Sequence, residues 1–170
     1  NNLLLDEELF MCEDLIFVLK YIFLCNSFNS IKDNLYVYNR LNARSISSNI
    51  NFTYYENLLL VIKKIENILI EEKINEKFIA DIISERIIDL SIKFIYLQSN
   101  SKISKRERVE NIKIILSNNY LIRYIDKKNG TNFRNAVYIS LINKKKVKLL
   151  YYYSLILCSL QKIKDKIKKV

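Results

Sequence analysis

Proline is absent from this chain, and glycine occurs only once, at Gly130. Tight turns and architectures rich in β-strands depend on these residue types, which supply backbone geometries that others adopt at a cost. With 170 residues, half of them hydrophobic, the chain is long enough to bury a core. We therefore predict a mainly α fold, with long helices joined by turns of Asn, Ser and Lys.

Histidine is also absent, and the three cysteines, Cys12, Cys25 and Cys158, show no Cys-x-x-Cys spacing. These two facts argue against a zinc site. The lack of histidine also removes nucleophilic schemes that pair Ser or Cys with His. Acid–base chemistry is left to carboxylates, Lys, Tyr or Cys. The odd number of cysteines favours reduced thiols in a cytosolic protein.

Long hydrophobic runs are lacking as well. The two longest, Leu15–Cys25 and Leu149–Leu160, are too short and too polar to span a membrane. Charge is distributed unevenly. The net charge is +10, and nine of the 28 basic residues lie in residues 143–170 beside a single acid. The basic character is therefore mainly a property of the C-terminal segment.

The candidate functional residues lie around the adjacent acids Glu13 and Asp14. Acidic residues suit the first turn of a helix, because the free N–H groups there carry partial positive charge. An ordinary helix start is therefore one interpretation of the pair. Its neighbours suggest another. In chain order they are an apolar and acidic segment (Leu5–Leu9), the pair itself, an amphipathic helix, a short strand with a Tyr-x-Tyr pattern (Leu35–Tyr38), a basic turn (Arg40 and Arg44) and a Ser-x-Ser motif (Ser45–Ser47).

In this order and spacing, the segment resembles the end of the catalytic domain in family-2 glycosyltransferases of the GT-A fold. The resemblance covers residues 1–50. The nucleotide-binding half of that fold, with its Asp-x-Asp metal motif, does not occur in this sequence. The chain also begins with Asn rather than Met, without a secretory signal. We therefore expect it to be a fragment of a longer enzyme, inactive when isolated, with a processed or engineered chain as the alternative.

The resemblance implies roles for particular residues. Asp14 would take the proton from the acceptor hydroxyl in an inverting transfer, and Glu13 would orient the acceptor or hold the helix start. Arg40 or Arg44 would face the diphosphate of the donor, although an ordinary surface arginine is the alternative at either position.

The resemblance also implies the setting of the reaction. The full-length enzyme would use a divalent metal, Mg²⁺ or Mn²⁺, bound outside this chain. It would transfer a sugar from a nucleotide-sugar to a saccharide or lipid-linked acceptor, in the synthesis of a surface polysaccharide or glycolipid. Its location would be cytoplasmic, peripheral at the inner face of the membrane.

Residues 51–170 show helical periodicity throughout. Thr53 with Glu56, and Ser104 with Glu107, have the capping-box spacing of helix starts. We predict a bundle-like region of about five to seven helices, besides a strand-like segment near residues 35–38. The one boundary predicted, near residues 48–51, separates the end of the catalytic domain (residues 1–50) from this helical region (residues 51–170).

The last predicted helix, near residues 145–169, carries an apolar heptad seam. Its members are Leu149, Tyr153, Ile156, Leu160, Ile163, Ile167 and Val170. Such a seam can pack on the preceding helices, pair with a second copy in a homodimer, or lie on an acidic membrane surface. The lysines around it favour an anionic partner.

This basic helix supports a second hypothesis for the function, a non-enzymatic helical interaction domain. Its partner would be a protein or an anionic membrane surface. Nucleic acid is disfavoured, because the charge is clustered in one helix without a recognised DNA- or RNA-binding motif.

Overall fold

The computed structural model describes residues 3–29, 32, 51–99, 101, 103–125 and 133–167. These residues form seven helices and no strand, which confirms the predicted mainly α fold. The strand predicted near residues 35–38 lies outside the described residues. The helices are α1 (Glu13–Leu24), α2 (Phe52–Glu71), α3 (Glu76–Gln98), α4 (Lys105–Leu116), α5 (Asn119–Ile125), α6 (Phe133–Asn143) and α7 (Val147–Ile167).

Polar side chains cap two of the predicted helix starts. Ser104 caps α4 as predicted, because its Oγ accepts a hydrogen bond from Glu107 N at 3.2 Å. At α2 the predicted cap is wrong: Thr53 lies inside the helix, and Asn51 is the cap. Asn51 Oδ1 accepts from Tyr54 N at 2.9 Å. Both residues precede a suitable amide by three positions, so spacing alone did not distinguish them.

The chain divides into two compact units, Asn1–Ile74 and Asn75–Val170. In the first unit, α1 packs against α2. One hydrophobic core cluster of this unit contains Leu9, Ile16, Val61 and Ile68. Because this core joins α2 to the N-terminal segment, the first unit continues past residue 50. The boundary predicted near residues 48–51 follows the resemblance rather than the packing, and stays a prediction.

In the second unit, α3 is the central helix and contacts α4, α5, α6 and α7. Its apolar residues cover most of its circumference, as a helix enclosed by others requires. Two polar side chains on its buried surface have partners, whereas the buried Ser91 hydroxyl has none among the described residues. Ser84 Oγ donates to the Asp81 carbonyl at 2.9 Å, and Gln98 Oε1 accepts from Asn111 Nδ2 at 3.1 Å.

The inner face of α7 is fixed against this bundle. Ser154 is completely buried and its hydroxyl shares a hydrogen bond of 2.8 Å with that of Tyr138 on α6. Leu150, Tyr151 and Cys158 are buried with it. This face is not the predicted heptad seam. Packing of the seam on the preceding helices is therefore wrong for most of its members, which are exposed: Leu149, Ile156, Leu160, Ile163 and Ile167.

Candidate functional site

The acidic pair opens α1. Glu13 and Asp14 are its first two residues, and Asp14 Oδ1 accepts a hydrogen bond from Leu15 N at 2.7 Å. Cys12 precedes them with a left-handed backbone (φ 67°) and makes no side-chain cap. The two carboxylates lie where the first turn carries partial positive charge. They therefore stabilise the helix start, whatever further role they have.

A buried asparagine on α2 holds the segment that leads into the pair. Asn57 is 5% exposed. Its Oδ1 accepts from Phe10 N at 3.2 Å, and its Nδ2 donates to the Met11 carbonyl at 3.0 Å. One amide side chain thus satisfies both a donor and an acceptor of the backbone just before α1. These two hydrogen bonds, which we call the Asn57 clamp, fix the backbone just before α1 against α2.

The acids of the Leu5–Leu9 segment have a different environment from Asp14. Lys64 Nζ lies 2.8 Å from Asp6 Oδ2 and 2.7 Å from Glu8 Oε2. The hydrogen bond to Lys64 holds the pKa of Asp6 below its ordinary value, and the bonds to Asp6 and Glu8 raise the pKa of Lys64. Asp6 and Glu8 are therefore engaged in fixing this segment to α2.

The Asp14 carboxylate lies on the outer side of α1. On a helix of 3.6 residues per turn, Asp14 falls within about 40° of Val18 and Tyr21, and opposite the buried Ile16. Val18 is 48% and Tyr21 54% exposed, and Asp14 itself is exposed. The two acids thus differ: Asp14 stands at the end of an uncovered apolar face, whereas Glu13 is half-buried.

A nucleophilic thiol is not part of this arrangement. Burial, followed by the negative charges of Asp14 and Glu13, raises the pKa of the Cys12 thiol. Because the thiolate is the reactive form, Cys12 is a poor nucleophile at neutral pH. Cys12, Cys25 and Cys158 are all free thiols.

The other predicted site residues lie outside the described part of the chain. These are Arg40 and Arg44, together with the Leu35–Tyr38 and Ser45–Ser47 segments. The structure therefore describes the acidic side of the predicted site. The assignment of either arginine to a diphosphate stays a prediction.

Asn57 and Lys64 were not predicted from the sequence. Both stand in a strongly apolar helical stretch, which is the only signal that could have indicated them. A polar residue among buried positions of an amphipathic helix needs a partner. The sequence does not say that the partners are the backbone of Phe10 and Met11 and the carboxylates of Asp6 and Glu8.

Two features are absent from the described residues. These residues contain no cluster of three or more His, Cys, Asp or Glu side chains that could hold a metal ion. Within the same ranges, no helix combines the length and apolar character needed to cross a membrane.

Comparison of the chain with protein-family models, with curated proteins and with solved structures gives no match.

Proposed function

We propose that this chain is the acceptor-side part of an inverting glycosyltransferase, in which Asp14 is the catalytic base. The observation that carries the proposal is the placement of Asp14. Its carboxylate is exposed at the start of α1, beside an uncovered apolar face, on a segment clamped by Asn57. A general base needs both access to its substrate and a fixed position.

The proposed reaction is a single displacement. Asp14 takes the proton of an acceptor hydroxyl as its oxygen attacks the anomeric carbon of the sugar. A bond forms between these two atoms while the bond from the anomeric carbon to the donor diphosphate breaks. The nucleoside diphosphate leaves with the electron pair. We assign Arg40 or Arg44 to this leaving group, because guanidinium groups bind phosphate oxygens with paired hydrogen bonds.

Glu13 has a supporting role in this proposal. It is half-buried and directly precedes the base in the first turn of α1. From there it orients the acceptor or holds the helix start. We assign no step to a metal here, because the metal of the full-length enzyme would be bound outside this chain.

The uncovered face of α1 supports the same proposal. Leu15, Val18, Tyr21 and Ile22 are between 41% and 54% exposed. An apolar face of this kind marks an interaction surface. We propose that the nucleotide-binding half of the catalytic domain, which is not among these 170 residues, covers this face. Because the proposed donor is a nucleotide-sugar, we propose a cytoplasmic enzyme that meets a lipid-linked or saccharide acceptor at the inner face of the membrane.

The stereochemistry of the product tests this proposal. The full-length protein is incubated with nucleotide-sugars and an acceptor, nucleoside diphosphate release is measured, and the anomeric configuration of the product is determined by NMR. We expect inversion, because a single displacement with Asp14 as base reverses the configuration. Retention would contradict the role of Asp14 as the base of a direct displacement.

The second hypothesis, an interaction domain, is favoured by a different observation, the exposed apolar seam of α7. The two functions do not exclude each other, because Asp14 and α7 belong to different compact units. If substitutions in α7 impair the function of the protein and substitution of Asp14 does not, the interaction domain alone is favoured.

A further inference from the structure

The outer face of α7 is apolar over its described length. The exposed side chains at spacings of three, four and seven residues are Leu149, Ile156, Leu160, Ile163 and Ile167, each between 55% and 69% exposed. On a helical wheel they fall within an arc of about 60° and extend over about 27 Å. We call these residues the α7 stripe. A continuous exposed stripe of large aliphatic residues is typical of an interaction surface.

The bundle uses the opposite face of the helix. Leu150, Ser154 and Cys158 are buried, about 110° or more around the helix from the centre of the stripe. Beyond Cys158, all of residues 159–167 are exposed. The last turns of α7 therefore extend past the bundle, and the outer half of the stripe is accessible.

Lysines border the stripe on both sides. Measured around the helix from Ile156, Lys164 lies about 80° to one side, and Lys148 and Lys166 lie about 80° to the other. The only acid of α7, Asp165, lies on the opposite side. The turn before the helix adds three exposed lysines, Lys144–Lys146. The stripe is therefore framed by positive charge along both edges and at its N-terminal end.

We infer that α7 docks on an anionic lipid surface, with the stripe in the acyl boundary and the lysines at the headgroups. An interfacial helix of this kind combines an apolar face with lysines whose stems lie along it and whose charges reach the water. Attraction to anionic lipid adds to the burial of the stripe. This inference does not rest on glycosyl transfer, because it uses none of the residues of the first unit.

A second copy of the chain fits this face less well. Helices that pair through an apolar seam commonly carry opposite charges at the flanking positions, which meet across the interface. Both flanks of the α7 stripe carry lysines, and Asp165 points away. Two copies would therefore bring like charges together, whereas an anionic bilayer complements both edges.

Vesicle partition tests the inference with the 170-residue chain. The protein is mixed with vesicles of phosphatidylcholine and phosphatidylglycerol, or of phosphatidylcholine alone, and bound protein is separated by flotation. We expect partition onto the anionic vesicles that weakens with added salt. Lys164→Gln/Lys166→Gln should weaken it by about fivefold per lysine, roughly 25-fold together. Ile156→Gln/Ile163→Gln should weaken it at least about tenfold.

Matched variants on other helices control for charge and hydrophobicity. Lys77→Gln/Lys93→Gln removes the same charge from exposed positions of α3, and Ile114→Gln/Ile122→Gln makes the same change at exposed positions of α4 and α5. Both should partition like the unmodified chain. Circular dichroism verifies that each variant keeps its helical content.

Three outcomes would overturn the inference. The first is equal binding to neutral and anionic vesicles, and the second is a loss in the control variants as large as in the α7 variants. The third is a concentration-dependent dimer, dissociated by Ile156→Gln/Ile163→Gln, in a chain that does not bind anionic vesicles. That result would assign the stripe to a second copy.

Discussion

At the scale of single residues, Asn57 links α2 to the segment before α1. Its side chain bonds two backbone groups of the segment before α1. A buried amide side chain that makes both bonds stabilises the fold more than one bond would. Removing the side chain leaves two backbone groups without partners. These two bonds help to fix the position of Asp14, together with the Lys64 ion pairs and the core contacts of Ile16.

Replacing Asn57 by Leu should destabilise α1 by about 1–3 kcal/mol, because Phe10 N–H and the Met11 carbonyl lose their partner. Hydrogen exchange of the α1 amides measures the effect locally, and exchange should become faster. Asn67→Leu is the matched control, since Asn67 is exposed on the same helix. Equal exchange rates in the two variants would contradict the clamp.

The Lys64 ion pairs should give a defined pH dependence. Lys64→Met is expected to cost about 1 kcal/mol or less at neutral pH, since the pairs lie near the surface. The pKa of Asp6 is lowered in the fold, so its contribution is present above the ordinary value of 3.8 and is lost as pH falls through the lowered one. The pKa of Lys64 is raised, so its contribution is lost as pH rises beyond 10.5.

Urea unfolding of the unmodified chain and of Lys64→Met across this range measures the difference. The two proteins should converge at both acid and alkaline extremes and differ between them. A difference that stays constant from acid to alkaline pH would show that Lys64 acts through packing of its aliphatic stem instead.

At the scale of elements, the caps illustrate the limit of pattern-based prediction. Ser104 was identified correctly, whereas Thr53 was chosen where Asn51 caps the helix. The two candidates for α2 differ by two positions and have the same spacing to a following amide. Only the packing of α2, which decides where its first turn lies, distinguishes them.

Asn51→Ala should therefore destabilise α2 by about 1 kcal/mol, because Tyr54 N–H loses its side-chain acceptor. Thr53→Ala is the matched control, and it should be neutral or slightly stabilising, because Ala has the higher helix propensity. Thermal unfolding followed by circular dichroism compares the two. A larger loss for Thr53→Ala would restore the original cap prediction.

The last helix shows the same limit in another form. α7 has large apolar residues on two sides, with Leu150 and Tyr151 buried and Ile156 and Leu160 exposed. Periodicity finds the longer apolar seam but cannot say which side faces the bundle. The inward side is the one that carries Ser154, because its hydroxyl pairs with Tyr138 and smaller residues allow close approach.

At the scale of the whole molecule, composition predicted the fold class well. A chain without proline and with one glycine has few means of making tight β-turns, and its apolar residues recur at helical spacing. The division into compact units was not predictable in this way. It follows from contacts such as those of Leu9 and Ile16 with Val61 and Ile68, which are distant in sequence.

The second unit should fold independently. Residues 75–170 form one of the two compact units, in which α4, α5, α6 and α7 contact α3. We expect a polypeptide of these residues to be helical and to melt cooperatively. A gradual, non-cooperative loss of circular dichroism on heating would contradict this division.

The role of Asp14 is the central claim, and one comparison tests it most directly. Nucleoside diphosphate release by the full-length protein is measured at saturating donor and acceptor for Asp14→Asn and Asp89→Asn, which make the same change at exposed positions of α1 and α3. We predict that Asp14→Asn lowers kcat by about 10²–10⁴-fold, as loss of a general base does, with little change in KM. Asp89→Asn should retain the kcat of the unmodified enzyme. Equal turnover by the two variants would contradict the assignment of Asp14 as the base.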